Sequence, residues 1–136
     1  MTSDQFDQLV QAAYARIPSN FRKRLQNVAV MVEPEPSPAQ LAEAGVGPGG
    51  TLLGLYQGRP LTNRSVFENF TMPDRITIFQ GPHERLARGM EHLKEMVDET
   101  VWHEVAHYFG MDEPQVRAAE RRRRSKGRIA RPPSST

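Results

Sequence analysis

One segment limits the possible folds more than any other: Val101-Trp102-His103-Glu104-Val105-Ala106-His107-Tyr108-Phe109. Apolar periodicity starting near Met90 runs into it and predicts a long helix over 90–109, with Gly110 as its C-terminal stop. Val101, Trp102, Val105, Ala106 and Phe109 leave this stretch apolar nearly all round, so the helix must be buried and covered by other elements. Two histidines and a glutamate are carried into that interior with it. Polar groups so placed need partners, because burying them unpaired is costly.

Their spacing says what the partner is. His103 and His107 are four residues apart, so both imidazoles leave one helix face about a turn from each other. Two ring nitrogens there can reach one metal ion at roughly 2.0–2.1 Å. Glu104 is angled off that pair, where it can meet a water molecule without displacing a ligand. This is the H-E-x-x-H arrangement, in which the glutamate serves as general base. The chain has no cysteine, which excludes disulfides and thiolate sites and leaves His, Asp and Glu as ligands. The expected metal is Zn2+.

Catalytic zinc normally has three protein ligands and an open position. Gly110 can take a left-handed conformation and turn the chain back towards the metal. The extended pattern H-E-x-x-H-x-x-G-x-x-H puts a third ligand ten positions after the first histidine, where Glu113 stands. Glu113 is the favoured third ligand and Asp112 the alternative. A more distant acid has only Glu120 to draw on, set among arginines near the chain end.

The rest of the chain is read around this helix. Residues 3–17 place Phe6, Leu9, Val10, Ala13, Tyr14 and Ile17 on one helical face, with Ser3 as cap and Pro18 as stop. Residues 27–33 (NVAVMVE), 51–58 (TLLGLYQG) and 74–80 (DRITIFQ) read as strands. Prolines and glycines make 34–50 a loop with one helical turn near Ala39–Ala44. A helical pattern resumes at Pro82 and breaks near Gly89, and Pro114 begins a short final helix over 114–124. Helix, strands, then helices give an α+β class: a small mixed sheet packed by an active-site helix and an N-terminal helix. Strand 74–80 is the candidate edge for pairing with an extended peptide. Tyr108 reads as a packing residue.

Other residues are weighed and set aside. His83 and His92 are expected at the surface. Met90, Leu93, Met96 and Val97 form an apolar stripe assigned to the core. Asp98 and Glu99 could partner the ligand histidines, but exposed carboxylates are the favoured reading.

With these segments in view, a resemblance can be stated. LLGLYQGRPLT (52–62), PDRITIFQGP (73–82) and HEVAHYFGMDE (103–113) together resemble the small bacterial zincin-like metallopeptidases, a minimal relative of the metzincins, over about residues 20–115. The resemblance implies a compact zincin-like fold, His103, His107 and an acidic third ligand matching Glu113 around zinc, and hydrolysis of a peptide or protein substrate. Larger metzincins carry a methionine turn downstream of the third ligand. Here no methionine follows Met111, so other residues must floor the site.

Charge divides the chain. Arg117–Thr136 carries eight basic residues against one acidic, while the preceding 116 carry ten against fifteen. The expected organisation is a metallopeptidase domain over 1–120 and a basic, disordered tail over 121–136. The run Arg121–Arg131 raises nucleic-acid binding as an alternative, although it has no aromatic residue to stack on bases. A zinc-stabilised domain without catalysis is the other alternative. No stretch approaches the roughly 20 apolar residues of a membrane span. The start MTSDQFDQL lacks the basic and apolar parts of a secretory signal, which gives the expectation of a cytoplasmic protein.

Overall fold

The computed structural model describes residues 1–25, 27–58 and 74–111, with Pro114, Ala118 and Arg121 beyond them. Asp112, Glu113, most of the helix expected over 114–124, and the basic tail apart from Arg121 lie outside the described residues.

Helix α1 (Ser3–Ala15) begins one residue earlier than its apolar pattern suggests. Thr2, not Ser3, is the cap: its hydroxyl accepts from the Gln5 N–H at 3.1 Å, and the Gln5 side chain accepts from the Thr2 N–H at 2.8 Å. This reciprocal box satisfies two backbone donors that the helix itself leaves open. A single turn, α2 (Ser19–Arg22), leads to strand β1 (Val28–Glu33). Helix α3 (Pro38–Glu43) is started by the same device, Ser37 with Gln40. Strands β2 (Gly54–Gln57) and β3 (Asp74–Phe79) follow, then α4 (Gln80–Leu86) and the long helix α5 (Met90–Tyr108). Gly89, at φ 123°, separates the last two.

The sheet has the order β1-β3-β2, with β1 parallel and β2 antiparallel to β3. The expected α+β class with a small mixed sheet is what forms. The expectation that strand 74–80 lies at an edge is wrong: β3 is the central strand, and among the described residues β2 is an edge. The reason is burial on both faces. Ile76 and Ile78 enter the core beneath the helices, yet Thr77 and Phe79 on the other face are also fully buried. A strand covered on both sides with a neighbour at each flank belongs in the middle.

Helices α1 and α5 pack on the Ile76–Ile78 face. Phe6, Val10, Ala13 and Ile17 meet Leu93, Val97, Val101, Trp102 and Val105 in one cluster with those isoleucines. Leu93, Val97, Val101 and Val105 are spaced by four and form a single ridge into the core. Full burial of such side chains contributes about 1.5–3 kcal/mol each. The neighbouring row, His92, Met96, Thr100 and Glu104, lies off this ridge and faces a cleft. That corrects the assignment of the whole Met90–Val97 stripe to the core: Leu93 and Val97 are in it, whereas Met96 is half-buried and Met90 exposed. Among the described residues, no helix is long and apolar enough to cross a membrane.

Candidate metal centre

The core ridge fixes the rotation of α5, and that rotation decides where the chemistry-bearing residues point. His103 and His107 come out on the adjoining face with ring centroids 4.6 Å apart and planes at 70°. Glu104 lies one step round, with Oε1 3.4 Å from His107 Nδ1. One donor atom from each of His103, Glu104 and His107 falls within 4.8 Å of the others. The residues named from spacing are thus brought together. Their exposure differs: the Glu104 side chain is 7% exposed and that of His107 is 34% exposed. Imidazole and carboxylate donors on a half-open face suit zinc.

The helix ends at a left-handed glycine, as expected. Gly110 has φ 74°, its N–H donates to the His107 carbonyl at 2.9 Å, and the Met111 N–H donates to Ala106 at 3.2 Å. This is a Schellman motif, which satisfies the last carbonyls and reverses the chain. Met111 packs against the core cluster, completing the hydrophobic contact such a turn uses. Aromatic rings hold the same end: Phe21 meets Trp102 and Phe109 edge-on at 5.4 and 5.6 Å. Tyr108 is buried and packs edge-on against Tyr56 and Phe109, the role its sequence position gave it. Glu113 and Asp112 fall outside the described residues.

Three residues that the sequence reading did not assign to the site shape it. Gly54 opens β2 directly against α5: a Cβ there would come within 2.7 Å of Thr100 Cγ2 and 3.2 Å of Glu104 Cγ. A glycine inside a strand pattern is the signal that would have flagged this close approach. Thr100, one turn before Glu104, is buried and fills that contact.

The third is His83, expected at the surface and found fully buried. Helix α4 starts directly from β3 with no loop, so its first turn is drawn under α5. His83 Nδ1 lies 2.7 Å from the Phe79 carbonyl and Nε2 lies 2.9 Å from Thr100 Oγ1. Burial holds its pKa below the usual histidine value, against the raising effect of its backbone hydrogen bonds. His92 is half-buried at the cleft wall, where its Nδ1 accepts from the Arg88 N–H at 2.9 Å. Asp98 accepts instead from Arg16, the residue that caps the end of α1. Glu99 is exposed on the cleft wall.

The cleft holds about 590 Å³, within the range of ligand-binding cavities. It is lined by Thr51–Gly54, by α5 residues between His92 and Glu104, and by Leu86 of α4. His103 and Glu104 therefore line a cavity beside β2.

The chain resembles a solved conserved hypothetical protein from Thermo thermophilus, with 28% identity and a TM-score of 0.53, covering 80% of this chain and 94% of that one. No curated protein matches it. The family described as zincin-like metallopeptidase matches over residues 25–123, which takes in all three strands and the whole of α5. The chain belongs to the zincin-like metallopeptidase family.

Proposed function

We propose that this protein is a zinc-dependent peptidase in which His103, His107 and Glu113 hold the metal and Glu104 is the general base. The observation that carries the reading is the convergence of His103, Glu104 and His107, of which His103 and Glu104 line the cleft together with Gly54 of β2. Zinc bound there supplies Lewis-acid activation of water and of the scissile carbonyl. The chain's own residues do the rest. Glu104 takes a proton from the attacking water and delivers it to the departing amine as the C–N bond breaks. Its burial shields the carboxylate from bulk solvent. Strand β2 offers an edge on which an extended substrate can align its backbone.

The test is a comparison of wild type with Glu104→Gln. The variant should retain stoichiometric zinc, because both imidazoles remain, and should lose cleavage of a peptide library. Undiminished cleavage by Glu104→Gln would remove the base assignment. Absence of zinc from gently purified wild type would remove the metal assignment.

A further inference from the structure

We propose that His83 is a positioning residue for the general base: it holds the Thr100 hydroxyl, and the Thr100 methyl so placed sets where Glu104 stands against Gly54. This rests on the peptidase reading and adds to it a residue outside the metal-binding segment.

Thr100 stands one turn before Glu104 on α5, so the two side chains share a face. Threonine in a helix divides between two χ1 rotamers, because its hydroxyl can bond a carbonyl of the preceding turn. Oγ1 and Cγ2 hang on one Cβ, so whatever holds the hydroxyl also places the methyl. Oγ1 lies 2.9 Å from His83 Nε2 and 2.9 Å from the Met96 carbonyl. Every helix offers the carbonyl; His83 is the partner that this fold adds. Cγ2 then faces β2, where a Cβ on Gly54 would come within 2.7 Å of it, and Glu104 Cγ closes on the same point at 3.2 Å. A turn to the other rotamer takes the methyl away from Gly54 and leaves the Glu104 stem free on that side.

The imidazole can anchor Thr100 because it is itself held. It is fully buried, its Nδ1 is bonded to the Phe79 carbonyl at 2.7 Å, and the Phe6 ring packs on it with centroids 5.6 Å apart. Phe79 is the last residue of β3, the strand that pairs with β2. His83 therefore references α5 to the sheet that carries Gly54. Leucine and valine would fill this interior without burying a polar group, whereas a fully bonded polar pair specifies one arrangement. Thr100 and Glu104 both line the cleft, so that arrangement extends to the cleft wall.

The experiment uses the full-length, zinc-loaded protein and two readouts. Three-bond NMR couplings to the Thr100 methyl carbon should report one rotamer in wild type and an average of two in His83→Leu. His83→Gln, whose amide keeps a donor and an acceptor, should restore the single rotamer. Thr100→Ser keeps the hydroxyl and lacks the methyl. Both it and His83→Leu should lower kcat for a library peptide about ten-fold, with KM changed less than about two-fold. The double variant should fall no further, since both changes interrupt one line of contact, and His83→Gln should regain kcat. Wild-type kcat in Thr100→Ser overturns the positioning role and leaves the peptidase standing. So does an additive loss in the double variant, or a single Thr100 rotamer in His83→Leu. Should His83→Leu fail to fold, Thr100→Ser decides alone. Cleavage of no peptide by wild type removes the peptidase reading and the positioning role with it.

Discussion

Nε2 of His83 and Oγ1 of Thr100 lie 2.9 Å apart in the interior, and this contact ties α4 to the turn of α5 that precedes Glu104. Because a carbonyl only accepts, Nδ1–H must donate to Phe79, so in the neutral ring Nε2 accepts the Thr100 hydroxyl. If the ring is protonated, Nε2–H donates instead, and the hydroxyl turns to the Met96 carbonyl 2.9 Å away. Every polar atom is satisfied in both states, but burial penalises the charged one. The native pKa lies below the unfolded value near 6.5. Below 6.5 the unfolded chain therefore binds more protons, and stability falls with pH until the native pKa is passed. Urea unfolding of wild type and His83→Gln at matched pH values from about 7.5 to 5 should show this part of the slope in wild type only.

Thr100→Val keeps the shape of the side chain and removes its hydroxyl. His83 Nε2 is then left unpaired in the interior, at a cost of about 1–3 kcal/mol. Denaturant titration measures it. A neutral result would mean that the ring finds another partner.

Gly54→Ala should act on both stability and catalysis. The new Cβ has to push apart β2 and the Thr100–Glu104 face of α5. Overpacking of this kind costs about 1–3 kcal/mol, and displacing the base should lower kcat about ten-fold or more. If kcat and stability both match wild type, the close approach has no bearing on the site.

Metal removal should leave the fold standing. The ridge that orients α5 is built from Leu93, Val97, Val101 and Val105 against α1 and β3, away from His103 and His107. Chelation should therefore abolish hydrolysis while leaving the far-ultraviolet circular dichroism unchanged, and added zinc should restore activity. Phe6→Ala offers the contrast. It empties a fully buried position and should cost about 3–5 kcal/mol with no ligand touched.

The third ligand can be assigned by exchange. Glu113→Ala should weaken zinc binding about ten-fold or more, as read by competition with a chelating dye, and Asp112→Ala should not. The reverse outcome would transfer the role to Asp112.

Much of the site was legible because its spacing is local. A helix of known pitch carries His103 and His107 to one side whatever surrounds it, and Gly110 marks the turn. What escaped depends on contacts between segments far apart in sequence. Arg75 and Thr77 alternate with Ile76 and Ile78, the pattern of a half-exposed strand, yet Thr77 is buried, and nothing local says which strand lies between the others. His83 sits among charged neighbours, Glu84 and Arg85, and only the loopless passage from β3 into α4 draws it inward. Met96 shares an apolar stripe with Leu93 and Val97, but periodicity gives the stripe's direction and not its width. So the same helix buries Leu93 and Val97 in the core and turns the methionine between them to the cleft.

The brevity of β2 has its own consequence. Gly54 opposite Ile78 and Tyr56 opposite Ile76 stand at the non-bonded positions of the β2–β3 ladder. Only these two of the four residues of β2 therefore aim backbone groups away from β3, enough for a few hydrogen bonds. Long open edges invite copies of a protein to zip together, and short ones resist it. On the proposed peptidase reading, an edge of this length is suited to rapid exchange of a bound peptide and gives little purchase to self-assembly.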